Sequence, residues 1–187
     1  LLLKLKRRCL KKAAGVTAVS QPLLNVMDSI YDNKHKAVIS MGCDTSYFGK
    51  QFYKDNYFNQ NGKKVILFVG RLAEKGVAYL IDAMNYIDGA ILVIVGNGPL
   101  RAGLERQAEK VGAAKQCKCI QFMGARTHEQ LRYIYASSDI FVMPSITARD
   151  GDKEGFGLVM LEAFASGLPV VASRSGGITD LIKRSEE

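Results

Sequence analysis

Glu154-Gly155-Phe156-Gly157-Leu158-Val159-Met160-Leu161-Glu162 is the stretch on which the fold turns. From Gly157 to Ser166 the chain runs through apolar or small residues, and Glu162 is the only charge. A helix that is apolar on all sides is a buried one. Its length and its Gly167-Leu168-Pro169 ending suit a short helix better than a strand. A lone buried carboxylate is costly unless its oxygens find donors. Glu162 therefore has a protein partner, or it lines a cleft where a ligand supplies the donors. The flanking residues favour the cleft. Glu154 stands just before the helix, and Gly155 and Gly157 let backbone N–H groups approach an anion at its N-terminus. At 1.5 Å per residue Glu162 lies about 7.5 Å beyond Gly157, roughly the reach from a diphosphate to a ribose.

Outward from that helix the pattern is regular. Strands are expected at Val65–Val69, Ile91–Val95, Cys119–Phe122, Ile140–Met143 and Val170–Ala172, most of them closed by a glycine or proline. Between them the spacing predicts helices from Lys75-Gly76 to Ile87, Leu100 to Val111, Thr127 to Ser137 and from Gly177 to Lys183. Strands alternating with helices make a parallel sheet covered on both faces. Right-handed crossovers make it a Rossmann-like doubly wound α/β sheet. Ligands bind such sheets beyond the carboxyl ends of the strands, and every motif considered below follows a strand. Upstream, residues 1–12 read as a helix and 15–20 as a short strand. A helix capped by Ser20 with Pro22 early runs to about Tyr31, and a strand follows at Ala37–Ser40.

At 187 residues the chain has room for one full core, and its 48% hydrophobic and 24% charged content is that of an ordinary globular protein. No apolar run nears the ~20 residues needed to span a bilayer. Of the net +8, six cations fall between Lys4 and Lys12, and removing those six leaves +2. The bulk is therefore no nucleic-acid surface. A basic amphipathic helix at 1–12 can touch anionic lipid. A solvated helix, or one packed on another part of the protein, accounts for it as well. The four cysteines (Cys9, Cys43, Cys117, Cys119) show no metal-site spacing and read as reduced thiols.

The Glu-x7-Glu frame with Gly-Phe-Gly inside it, the run Glu162-Ala163-Phe164-Ala165-Ser166-Gly167-Leu168-Pro169-Val170-Val171-Ala172-Ser173 and the later Gly176-Gly177-Ile178 resemble the retaining glycosyltransferases of the GT-B fold. The similarity is to their C-terminal, nucleotide-sugar-binding half. It implies that residues 1–50 are the tail of an N-terminal domain and the interdomain linker. Residues 51–187 would be the donor-binding domain, ending before the helix that crosses back to its partner. The absence of a starting Met agrees with a fragment. The resemblance further implies a UDP- or GDP-linked sugar as donor, and a sugar or lipid-linked acceptor held by the other domain. It also implies a cytoplasmic enzyme of polysaccharide biosynthesis, at the inner face of the membrane if residues 1–12 touch lipid.

Residue by residue, the resemblance makes Glu154 the carboxylate facing the donor sugar, where it can stabilise positive charge at the anomeric carbon. Phe156, Gly157 and Leu158 would offer backbone N–H groups to the diphosphate or sugar, and Glu162 would accept the two ribose hydroxyls. In Gly70-Arg71-Leu72-Ala73-Glu74-Lys75-Gly76, Arg71 and Lys75 would take the charge of the leaving diphosphate, as a divalent metal otherwise does, so no metal is expected. The family more often has one further residue between this Arg and Lys. The plain alternative is a pair of solvated loop cations. Gly96-Asn97-Gly98-Pro99 lacks the third glycine of a dinucleotide fingerprint, Arg101 standing there, which argues against a dehydrogenase. In the family that turn lies beside the nucleotide, so Gly96 is a candidate, as are Gly124 and Ala125 in the base-binding segment. A simple strand-to-helix turn remains open for those two. Asp180 stands where the family often has Glu, and a helix N-terminal role fits it equally well. His128 reads as surface or capping. A nucleotide-sugar-binding module without catalysis, or a relative such as a nucleotide-sugar epimerase, stays open beside the transferase.

Overall fold

Apolar runs between glycines become strands whose alternate side chains feed two separate cores. In the computed structural model, which describes residues 2–73, 75–149 and 151–182, the order of elements is α1 (Leu2–Lys12), β1 (Val16–Ala18), α2 (Gln21–Ile30), β2 (Lys36–Val38), β3 (Lys64–Val69), α3 (Val77–Ala83) and β4 (Ala90–Val95). Then come α4 (Arg101–Lys115), β5 (Ile120–Gly124), α5 (His128–Ala136), β6 (Ile140–Met143), α6 (Leu158–Ala165), β7 (Val170–Ala172) and α7 (Ile178–Leu181). Strands β3 to β7 form one sheet in the order β5-β4-β3-β6-β7, parallel throughout, and β1 pairs with β2 in a separate parallel ribbon.

The period of two is visible in the packing. Val65, Leu67 and Val69 of β3, with Ile91, Val93 and Val95 of β4, join the core under α5, α6 and α7. Ile66 and Phe68, with Leu92 and Ile94, join the core under α3 and α4. Complete burial of each such branched side chain contributes about 1.5–3 kcal/mol, which is why β3 and β4 read as unbroken apolar runs. The chain builds β3, β4 and β5 in one direction and then returns to lay β6 on the other side of β3. The strand order thus reverses between β3 and β6, and a crevice opens there at the carboxyl ends.

Several boundaries differ from expectation for tertiary reasons. α4 continues to Lys115, whose ammonium donates to the carbonyls of Met84 and Ile87 and to Asp88. β2 is Lys36–Val38, one residue early and two short of Ser40. The helix after Gly76 ends at Ala83 and tightens into a 3-10 turn at Met84–Tyr86. α6 is not wrapped on all sides: Leu158 and Phe164 are 38% and 42% exposed, because a single helix layer on a sheet keeps an outer side. Lys183, expected in the last helix, lies outside the described residues.

The N-terminal segment is fastened to the loops around α6. Ser20 sits at the α2 N-cap position without capping it, and its hydroxyl donates instead to the Gly155 carbonyl at 2.7 Å. The orphan Gln21 N–H donates to Asp180 Oδ2 at 2.6 Å. Asp180 stands in the first turn of its own helix α7, as expected, and also serves the N-terminus of α2. α1 buries no residue and leaves Leu2, Leu3 and Leu5 more than half exposed. No helix among the described residues is long and apolar enough to cross a membrane.

Candidate functional site

The crevice between β3 and β6 is a cleft of about 440 Å³. Its walls are the end of β3 with Gly70 and Arg71, then Lys75, the end of β6 with Met143 and Ser145, and the segment from Glu154 to Val159. The loops that bear these residues are packed backbone against backbone. Gly76 has φ +79°, and a Cβ there would overlap the Pro144 carbonyl. Gly96 has φ +132°, and a Cβ there would overlap the Gly70 carbonyl. Only a residue without a side chain fits either contact. Hydrogen bonds from Gly70 N to Val95 O and from Leu72 N to Asn97 O, both 3.0 Å, complete the joint that sets Arg71 in place.

Four charges meet at this cleft. Lys75 Nζ is 3.4 Å from Glu154 Oε2 and 3.8 Å from Asp152 Oδ2, while Arg71 is exposed at the rim. Phe156 is buried and Leu158 opens α6, with Gly157 in the left-handed region at the helix N-cap. Among the described residues, the N–H groups of Phe156, Gly157 and Leu158 donate to no loop or turn carbonyl. Cationic side chains, unengaged N–H groups and a helix N-terminus facing one space suit a polyanion. The sequence also carries the Asp-x-Asp spacing, in Asp150-Gly151-Asp152. Asp150 lies outside the described residues, and Asp152 is drawn towards Lys75.

Glu162 lies one helical turn beyond the cleft-lining Leu158 and Val159, and is 8% exposed. Its partner is a neutral hydroxyl rather than a cation. Tyr135 Oη, on α5, donates to Glu162 Oε2 at 2.8 Å. Burial pushes the Glu162 carboxyl above its ordinary range, and the Tyr135 hydrogen bond and His128 hold it back in part. The phenol of Tyr135 is driven well up by burial and then by the adjacent carboxylate, so the shared proton stays on the phenol. Tyr135 was missed in the sequence, where it fills an apolar slot of α5 beside Leu131 and Ile134. The available signal was that a fully buried Tyr needs a partner for its hydroxyl.

The remaining candidates form a second neighbourhood. Gly96 N donates to Gly124 O at 2.9 Å, so the ends of β4 and β5 are joined. Arg101 Nη1 donates to Asn97 Oδ1 at 2.6 Å and lies against Gly124, while Ala125 is exposed. The cleft thus gathers Arg71, Lys75, Glu154, Phe156, Gly157 and Leu158. Glu162 stands one turn further along α6, and Gly96, Gly124 and Ala125 lie at the neighbouring strand ends, outside the cleft lining. His128 is exposed and follows Thr127, which caps α5 in a capping box with Gln130. Among the described residues, no three His, Cys, Asp or Glu side chains are grouped to hold a metal ion.

Residues 49–187 match the family described as glycosyl transferases group 1. An uncharacterized glycosyltransferase of Methanocaldococcus jannaschii is 41% identical over 128 residues, 66% of this chain and 30% of that protein. The sulfoquinovosyl transferase SQD2 of Arabidopsis thaliana is 38% identical over 126 residues, 67% of this chain and 22% of that protein. Among solved structures, Anabaena HepE in complex with UDP and glucose superimposes with a TM-score of 0.81 at 23% identity, over 97% of this chain and 50% of that one. Sucrose-phosphate synthase from Thermosynechococcus elongatus does so with 0.76 at 27% identity, over 95% and 45%. The chain therefore spans less than a third of these two relatives and about half of each solved chain.

Proposed function

The chain belongs to the glycosyl transferases group 1 family, and from that premise we propose that its β3–β6 cleft binds the diphosphate and sugar of a nucleotide diphospho-sugar. The ribose would lie over Glu162. The observation that carries this reading is the convergence, at the point where the strand order reverses, of Arg71, Lys75, Glu154 and the N-terminus of α6. In the whole protein a hexose would pass to an acceptor held by a second domain, with retention of anomeric configuration. The bond between the anomeric carbon and the diphosphate oxygen breaks, and its electron pair leaves with the diphosphate. Arg71 and Lys75 neutralise that charge, and Glu154 stabilises the positive charge on the sugar. The acceptor oxygen bonds the same carbon, and its proton passes to the released diphosphate. No metal ion is assigned a part, since the two cations supply the countercharge.

The solved complex of HepE with UDP makes UDP the first ligand to try. Calorimetric titration with UDP, GDP and ADP should show one nucleotide bound, with affinity lowered about tenfold or more in Glu162→Ala, as loss of hydrogen bonds to a charged acceptor implies. A folded chain that binds none of the three would overturn the reading.

A further inference from the structure

Glu162 is one carboxylate with about four lone-pair sites, and the fold occupies one of them. Tyr135 Oη reaches Oε2 at 2.8 Å, while Oε1 accepts no hydrogen bond among the described residues. Tyr135 has no freedom to follow the carboxylate elsewhere. It is wholly buried, and its ring packs edge-on to Phe48 at 5.7 Å and against Phe141 at 5.9 Å. Phe48 belongs to the segment that links β2 to β3, and Phe141 to β6, so three parts of the fold fix where the phenol points. A donor held this firmly selects one rotamer of Glu162 and leaves its other oxygen for a ligand.

We propose that Tyr135 is a positioning residue for nucleotide binding: it holds Glu162 by one oxygen so that the other faces the vicinal hydroxyls of the ribose. This rests on the ribose-binding reading of Glu162. Two consequences follow from the geometry. Without the phenol, Glu162 rotates away from the ribose, and discrimination for the hydroxyls is lost. The anionic form also loses its nearest donor, so Glu162 takes up a proton at higher pH and stops accepting from the ribose. The other titratable groups facing it are His128, on the same helix as Tyr135, and Cys43 from the linker. His128 favours the anion, and Cys43 supplies no cation to replace the phenol.

The test compares a nucleoside diphosphate with its 2′,3′-dideoxy analogue across the acid to neutral range, using whichever of UDP, GDP and ADP binds tightest. The analogue carries the same phosphates, so the ratio of the two affinities cancels phosphate ionisation and reports on the ribose alone. Wild type should prefer the intact ribose, and the preference should fade on acidification as Glu162 is protonated. Tyr135→Phe should cut the preference about tenfold at neutral pH and move its acid limb upward. In a Glu162→Gln background the same change should add little. Placing 3-fluorotyrosine at position 135, a stronger donor in the same space, should move the limb the other way, and it serves if the phenyl variant does not fold. A Tyr135 that only fills the core would weaken both ligands equally and leave the limb in place, which would overturn the inference. If Glu162→Gln keeps the full preference for the intact ribose, or wild type binds none of the three nucleotides, the underlying reading fails and the inference with it.

Discussion

Glu154 and Glu162 are the same acid in two surroundings, one just ahead of α6 and the other in its second turn. Glu154 shares an open cleft with Lys75, at 3.4 Å, in a contact that both side chains can leave at little cost. Glu162 is almost closed off from water and is held by a neutral hydroxyl whose ring cannot move. The open end is built from backbone, because Gly76 and Gly96 lock the loops together and the charges then sit on a fixed frame. The buried end is built from one side-chain hydrogen bond and the aromatic packing behind it. An end that must meet a polyanion keeps exchangeable partners, and an end that must recognise neutral hydroxyls keeps a fixed one.

The contrast is broken most severely at its backbone side. Gly76→Ala would force a Cβ into the Pro144 carbonyl at φ +79°, which should cost about 3 kcal/mol. Urea unfolding should show a lower midpoint with an unchanged slope. An unshifted midpoint would mean that the loops do not depend on this contact.

At the buried end the expected effect is smaller and depends on pH. Burial raises the Glu162 carboxyl in the folded state, so the native protein holds that proton more tightly than the unfolded chain. Stability from this group is fully present below the ordinary glutamate range, near about pH 4.3, and is lost as pH rises through the raised value. Glu162→Gln imitates the protonated acid. It should match wild type in acid and become the more stable of the two towards neutral pH, in paired urea curves. A constant difference across that range would mean that Glu162 is not desolvated as the fold indicates.

How much of this could be read in the sequence follows the same division. The sheet and the five main strands were legible because Val65–Val69 and Ile91–Val95 carry their burial in unbroken apolar runs. The cleft charges were legible because Arg71, Lys75 and Glu154 each stand in a glycine-marked loop after a strand. Tyr135 was not, since its hydroxyl is bound by a residue 27 positions away, and no local pattern records that. The partners of Asp180 and Ser20 were hidden for a related reason. Each carries the mark of a local cap, yet Asp180 accepts from Gln21 and Ser20 donates to Gly155, across the chain. Local chemistry says that a group will be satisfied; only the fold says by whom.

The smallest stability effect should come from the open end's own charges. Lys75 and Glu154 keep 25% and 19% of their side-chain surface exposed, and the pair is long at 3.4 Å. Partial solvation and the freedom of the lysine chain leave such a contact worth under about 1 kcal/mol. Lys75→Met keeps the stem that packs in the cleft and removes only the charge. The urea midpoint should therefore hardly move, and the affinity for the bound nucleoside diphosphate should fall about tenfold, the loss of one charge-assisted contact to phosphate. A large drop in stability with unchanged affinity would reverse the assignment. Lys75 would then be a structural clamp on Glu154, and the diphosphate would depend on Arg71 and the α6 N-terminus alone.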